Sequence, residues 1–357
     1  LLFRKGITVI DIGTDSIKGV KFKRKRGTLF VDRIGSKSLP YESIEDGYIV
    51  DEAAVGNRLN ELADELGCRS SKIITTIPNN NLVIRNMELP YIEDEKKMAE
   101  ALKWESEDHL PYPVESAVQD FKILSRENGR AQILLVAAKS DLIDNIMNVF
   151  ERAYLTPTVI NIQPMALISL VEYQNHIENT VAIVDIGNSG TRVVIGNNHN
   201  IYLFRNIDIG GFEFTRIIME EDNLSYIEAE NIKKKNGLPE IEGGIESFEL
   251  AIEQIALTGL GQSHMLISQA RSLADQIGRS LDYYEMKFKS PVDRIYVTGG
   301  GAKLAGLINV IRQEIGRELF LLDPFLNIGY RKGIALTKEE FAIAVGLGVS
   351  EVLEDEG

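Results

Sequence analysis

Apolar positions along this chain change period several times, and each change marks an element. Near the start the pattern is that of strands: Thr8 to Ile12, Ile17 to Phe22 and Thr28 to Gly35 read as three of them. From Asp51 the period lengthens, because Val55, Leu59, Leu62 and Leu66 fall on one helical face and Gly67 supplies a stop. "KIITTIP" is then a short continuous apolar run, a buried strand. The order strand-strand-strand-helix-strand places the strands in one sheet with a helix on a face, which is an α/β layer.

The pattern changes at about Leu82. "LVIRNMELP" reads as a strand and "DEKKMAEALKWESEDH" as a helix begun by acids. "AVQDFKIL" and "AQILLVAAK" are strands joined across Asn128-Gly129, a strong hairpin signal. A helix from Ser140 carries Leu142, Ile146, Val149, Phe150 and Ala153 on one face, and "PTVINI" is expected to close an inserted strand-helix-strand-strand-helix-strand unit.

At "NTVAIVDIG" the opening theme restarts. Polar helices are predicted from Phe212 to about Asn236, and a long one over about 263–288 with Leu266, Ala270, Leu273, Ile277, Leu281 and Tyr284 on one stripe, ended by Pro291. "RIYVTGGGAKLAGLINVIRQEIG" reads as strand, glycine turn and helix, and "KEEFAIAVGLGVSEVL" as a last helix. What repeats is a half-chain. "VIDIGTDSIKGVKF", with Asp11, and "IVDIGNSGTRVVIG", with Asp185, each run from strand through Asp-Ile-Gly and small polar residues into a second strand. A duplicated, two-lobed α/β protein is indicated.

Composition narrows what such a protein does. The 357 residues suffice for two or three domain-sized units, and 44% hydrophobic with 26% charged residues is ordinary for a globular chain. A formal charge of −14 argues against nucleic acid or an anionic membrane as the main partner. The basic run "KRKRG" reads as a solvated hairpin tip. Cys68, the one cysteine, is expected as a buried packing thiol, and His109, His176, His199 and His264 have no metal-site spacing. No stretch is long and apolar enough for a membrane helix and no signal-peptide pattern opens the chain, so a cytoplasmic location is expected.

The repeated loops suit a polyphosphate. A turn with Gly13 and the small polar Thr14, Asp15 and Ser16 lets backbone N–H groups approach anionic oxygens. Asp11 and Asp185 facing the same phosphates would repel them without a cation, so the pair makes sense around a Mg²⁺ that keeps several waters, with Lys18 offsetting further charge. A lone Asp-Ile-Gly is also what an ordinary turn looks like. A second copy that restarts a lobe favours the phosphate reading. Gly299, Gly300 and Gly301 place bare backbone ahead of a helix, without the spacing of the dinucleotide fingerprint. In "EAENIKKKNG", Glu230 and Lys233 share a helical face, either for ribose hydroxyls and an adenine edge or as a solvated ion pair.

Together these pieces resemble the actin-like ATPase superfamily. "DIGTDSIK" is similar to its first phosphate loop, "DIGNSGT" to the second and "VTGGGA" to the adenosine loop, while "NIQPMALISL" and "FAIAVGLGV" resemble the two interlobe connections. Within the superfamily the likeness is to the PilM family of type IV pilus assembly, carried by "DGYIVDEAAVGNRL", "IPNNNLVIRNMELP", "WESEDHLPYPVESAVQDFKIL", "IGGFEFTRII" and "YIEAENIKKKNG". The resemblance implies a two-lobed actin-like, ribonuclease H-like fold with an inserted SHS2-like 1C subdomain shared with FtsA. Subdomain 1A would comprise 1–81, 160–180 and 338–357, with 1C over 82–159, 2A over 181–219 and 286–337, and 2B over 220–285.

By the same resemblance, Asp11 and Asp185 act on Mg²⁺ through water. Gly13, Thr14, Asp15, Ser16, Lys18, Gly187, Asn188, Ser189, Thr191, Gly210 and Gly211 surround the phosphates of ATP. Glu230, Lys233, Gly299, Gly300, Gly301 and Lys303 surround the nucleoside. Gln163 stands near the position of an attacking water, or is simply a polar helix start ahead of Pro164. The implied function is that of a nucleotide-gated adaptor with slow ATPase activity at most. Its partner would be the N-terminal cytoplasmic peptide of the inner-membrane protein PilN, which would hold it at the inner face of the membrane. No long amphipathic helix of the FtsA type follows "VSEVLEDEG", which favours recruitment by a partner. The alternatives are a phosphotransferase of the sugar-kinase branch and an FtsA-like filament protein that self-associates.

Overall fold

Each Asp-Ile-Gly repeat opens a sheet, and the two sheets have the same strand order. In a computed structural model, which describes residues 6–25, 28–78, 82–175, 179–197, 200–239, 261–334 and 338–356, the first sheet starts with β1 (Ile7–Ile12), β2 (Ser16–Lys25) and β3 (Thr28–Ser38). These run antiparallel, and a small hairpin of β4 (Ile44–Glu45) and β5 (Tyr48–Ile49) follows. On the far side of β1, β6 (Lys72–Ile77) pairs parallel. Part of the basic tip at 23–27, the 79–81 stretch, residues 240–260 of the expected 2B subdomain, His176 and His199 lie outside the described residues.

Helix α1 (Glu52–Leu66) begins where Asp51 accepts a hydrogen bond from the Ala54 amide and ends at Gly67 in the left-handed region, φ 57°. Its predicted stripe, Val55, Leu59, Leu62 and Leu66, is fully buried. An inserted three-stranded sheet follows, made of β7 (Leu82–Pro90), β8 (Ala117–Glu127) and β9 (Arg130–Lys139) in the order β7-β9-β8, with α2 (Glu95–Ser106) on its face. Met98 and Leu102 of α2 meet Met87, Ile133 and Leu135 of the strands. Asn128 and Gly129 both take positive φ, 50° and 75°, as a two-residue turn between twisted strands requires.

The end of the inserted unit differs from the expectation of 82–159. Its own sheet stops at Lys139, because α3 (Ser140–Arg152) turns its apolar face to α1, where Leu142, Ile146 and Phe150 pack with Val55 and Leu59. "PTVINI" does not close the insertion. It is β10 (Pro157–Ile162), which pairs parallel with β6 at the edge of the first sheet. A parallel pair needs a long crossover, and the whole excursion from β7 to α3 is that crossover.

The second sheet consists of β11 (Val181–Ile186), β12 (Thr191–Asn197), β13 (Asn200–Ile207), β14 (Arg294–Thr298) and β15 (Leu319–Leu321). Its order is β13-β12-β11-β14-β15, and the first sheet is β10-β6-β1-β2-β3 with a two-residue strand β16 (Gly329–Tyr330) added beside β3. Read outward from β1 and β11, the antiparallel and parallel neighbours correspond one for one. The two-lobed α/β fold expected from the repeat is the fold that forms.

Between the sheets lie α4 (Gln163–Asn175) and α9 (Ala342–Glu356). Leu167 and Val171 of α4 share one core with Val345 and Leu347 of α9, with Val9 and Val20 of the first lobe, and with Ile183 and Val194 of the second. The outer face of the second lobe is covered by α5 (Gly211–Asp222), α6 (Tyr226–Asn236), α7 (Gly261–Phe288) and α8 (Leu307–Ile315), and the predicted α7 stripe is buried there. Cys68 is fully buried, as expected. Among the described residues no helix is long and apolar enough to cross a membrane.

Candidate functional site

The two hairpin turns are built alike. In the first, the Gly13 amide donates to the Ser16 carbonyl at 3.1 Å, and in the second the Gly187 amide donates to the Gly190 carbonyl at 2.9 Å. Each carboxylate sits at the end of its strand, opposite a base on the returning strand: Asp11 across from Lys18, and Asp185 across from Arg192. Both carboxylates are about as buried as core residues, at 3% exposure.

The hairpins face a common cavity of about 650 Å³ between the lobes. Asp11, Gly13, Thr14, Asp15, Ser16 and Lys18 line it from the first lobe. Asp185, Gly187, Asn188, Ser189 and Gly211 line it from the second, as do Glu230, Lys233, Gly299, Gly300, Gly301 and Lys303. Gln163, the first residue of α4 and buried, closes its floor. Two expected phosphate neighbours are not on the wall. The Thr191 hydroxyl donates to the Ile209 carbonyl at 2.7 Å and is buried. Gly210 presses on the back of the second loop, where a Cβ would lie 2.4 Å from both the Asn188 carbonyl oxygen and the Gly190 nitrogen. Both shape the loop from behind.

Local electrostatics are set by burial and by the two bases. Burial pushes the Asp11 carboxyl above the usual range. Lys18 and Arg192 pull it back, the charge of Asp185 pushes it further up, and the Thr76 hydroxyl at 3.5 Å pulls it down. A carboxyl raised in the folded state contributes stability below its unfolded pKa that is lost as pH rises through the folded one. At neutral pH the Asp11 carboxyl therefore costs the ligand-free fold stability. Asp11→Asn should raise the melting temperature there, by on the order of 2 °C, with the gain shrinking on acidification. A fluorimetric melt across pH checks this, and an equal or growing gain in acid would refute it.

Glu230 and Lys233 do not form the solvated pair that spacing alone allows. Their side chains are 13% and 9% exposed and 2.6 Å apart. The Lys233 ammonium also donates to the Gly211 carbonyl at 2.9 Å and to the Thr215 hydroxyl at 2.7 Å, and Thr215 donates to Glu230 at 2.6 Å. Burial works against the Glu230 carboxylate, but its hydrogen bonds from Lys233 and Thr215 outweigh it and hold its pKa below the usual range. The network ties α6 to α5 at the cavity wall.

The glycine loop after β14 also differs in detail. The glycines do not open α8, which starts at Leu307; they enter a 3₁₀ turn over Gly300–Lys303, preceded by Gly299 at φ 91°. A Cβ on Gly301 would lie 2.5 Å from Ile186 Cγ2, so the loop rests directly on the second hairpin. Lys303 pairs with Glu340 at 3.3 Å. Contacts also cross the cavity mouth. Asn188 donates to the Thr14 hydroxyl at 3.3 Å, Tyr226 donates to Asp15 at 3.2 Å, and the Tyr41 ring stacks on Tyr226 with centroids 4.6 Å apart.

Sequence reasoning missed Arg192, Thr215, Tyr226 and Tyr41. Arg192 had a signal: it follows Asp185 at the same offset at which Lys18 follows Asp11. As to a metal, among the described residues no three His, Cys, Asp or Glu side chains cluster to chelate one. Two buried carboxylates, one from each lobe, and the Gln163 amide line the same cavity with hard oxygen donors, and they fit a cation that keeps its waters.

Comparison with known proteins places this architecture. The family described as type IV pilus assembly protein PilM matches residues 9–244 and 245–351. The cell division protein FtsA of Streptococcus pneumoniae is 22% identical over 348 residues, covering 89% of this chain and 75% of FtsA. A solved PilM-PilN type IV pilus biogenesis complex superposes with a TM-score of 0.80 at 23% identity, covering 97% of this chain and 98% of its own. MreB5 of Spiroplasma citri bound to ADP superposes with a TM-score of 0.54 at 12% identity, covering 99% of both chains. The fold is the two-lobed actin-like one with an SHS2-like insertion, and the chain belongs to the PilM family of type IV pilus assembly proteins.

Proposed function

We propose that this chain is an ATP-binding adaptor of the pilus inner-membrane platform, whose nucleotide state sets its affinity for the N-terminal cytoplasmic peptide of PilN. The observation that carries the nucleotide part is the cavity shared by two copies of one hairpin, each bringing a turn with inward backbone and a buried Asp opposite a base. Gly13, Thr14, Ser16, Asn188 and Ser189 would meet the phosphates, and the Glu230–Lys233 wall and the Gly299–Lys303 turn would meet the nucleoside. Hydrated Mg²⁺ held through Asp11 and Asp185 would supply charge for the phosphates. A ligand that touches both lobes binds the closed cleft better than an open one and shifts the population toward it.

The PilN part is supported by the family and by the fold shared with the PilM-PilN complex. The protein would then lie at the cytoplasmic face of the membrane through its partner. Capture of the full chain on an immobilised peptide of the cognate PilN N-terminus, with and without Mg²⁺ and ATP, tests the reading. Binding that differs between the two conditions by about tenfold or more is expected. Absence of binding in both would overturn the adaptor role, and equal binding would overturn the nucleotide gate.

A further inference from the structure

Both lobes set a base opposite a buried carboxylate, but the bases differ in kind. Asp11 faces a lysine, whereas Asp185 faces Arg192, whose Nη1 donates to the Asp185 Oδ2 at 2.6 Å. The Asp185 side chain is 4% exposed and the Arg192 side chain 19%, so the pair is drawn out of solvent and still opens on the cavity. The guanidinium lies over the bare backbone of the second loop: a Cβ on Gly187 would come 3.1 Å from Nη1 and 3.7 Å from Nη2. Its charge also reaches Asp11, on the other lobe.

A guanidinium is charged at every accessible pH and presents five N–H donors in a planar fork suited to phosphate. With Lys18 and Arg192 in place, the two carboxylates are balanced by two cations before any metal arrives. At the two hairpin turns a phosphate chain then meets each buried carboxylate with a base opposite it. The arginine's charge beside Asp185 would moreover weaken that carboxylate's hold on a divalent cation without abolishing it. We propose that Arg192 is a built-in cation for the polyphosphate, sharing Asp185 with hydrated Mg²⁺ and making nucleotide binding by this chain only weakly dependent on the metal. The inference rests on the nucleotide reading above.

The test is calorimetric titration of the full chain with a non-hydrolysable ATP analogue, in excess Mg²⁺ and in EDTA. For the unsubstituted chain the two affinities should lie within about tenfold of each other. In Arg192→Gln the gap should widen by a further factor of about ten or more, the scale of one charge-assisted hydrogen bond, through loss of affinity in EDTA. Arg192→Lys, which keeps the charge without the fork, should fall between the two, and it carries the test alone if the glutamine variant does not fold. An unsubstituted chain that binds only in Mg²⁺, or substituted chains whose gap is unchanged, would overturn this inference and leave the nucleotide site standing. No binding by the unsubstituted chain in either buffer would overturn both.

Discussion

Gly346→Ala should destabilise the protein by about 3 kcal/mol or more, a large effect for one added methyl group. Gly346 lies in α9 where that helix crosses α4, and a Cβ there would stand 2.1 Å from the Ala166 carbonyl oxygen and 2.7 Å from its carbon. The obstacle is helix backbone, which has no flexible end to swing aside. The helices must separate, and the core that joins α4, α9 and both sheets opens with them. At Gly348, farther along α9, a Cβ would meet Phe22 Cε2 at 2.3 Å, so movement along the helix brings no relief. Gly278→Ala is the internal control. Its Cβ would meet Ile315 Cγ2 at an ordinary 3.7 Å on α7, where alanine should instead stabilise by up to about 1 kcal/mol through helix propensity. Chemical denaturation of both variants decides the matter, and similar midpoints for the two would show that the helix crossing is not as tight as described.

The second large effect is expected at Gly299. Alanine there should weaken ATP binding by about a hundredfold, since its Cβ would lie 2.3 Å from the Ile186 carbonyl oxygen and 2.4 Å from the Asp185 Oδ1, at a φ of 91° that a side chain rarely adopts. Relief requires the turn to leave the second hairpin. That movement would break the hydrogen bond from the Gly299 amide to the Glu339 carbonyl and displace Asp185 from Arg192. Gly300→Ala gives the contrast, because its nearest neighbour would be Glu340 Cβ at 4.0 Å. Facing the cavity without strain, it should cost about tenfold or less in affinity. Titration of both variants with ATP separates the cases, and a Gly299→Ala chain that binds like the unsubstituted one would remove the glycine turn from the site.

Much of this site is legible in the amino-acid sequence. The two Asp-Ile-Gly hairpins, the α1 stripe ending at Gly67, the Asn128-Gly129 turn and the α7 stripe are local patterns, in which strand or helix period and turn residues agree over a short stretch. The cavity wall collects nearly every site residue that the hairpins, the glycine turn and the family resemblance nominate. Arg192 escapes because a base on a strand carries no sign of which partner it faces, although the two repeats set side by side place it opposite Asp185. Thr191 and Gly210 stand one layer behind the wall to which the family resemblance assigns them, since a motif match does not tell a loop's inner wall from its backing. Glu230 and Lys233 are legible as a pair, but their burial depends on Thr215 and Gly211 of a different helix.

By itself the sequence determined the elements, their duplication and the chemistry carried by their turns, because backbone geometry imposes those periods on residues close together in the chain. Only the tertiary structure decided that β10 returns to β6, that α3 belongs with α1, that α4 and α9 touch backbone to backbone at Gly346, and that Arg192 answers Asp185 over the cavity. Such choices depend on which surfaces meet after long loops close. Any of several partners would satisfy the same local pattern, and only packing in three dimensions selects among them.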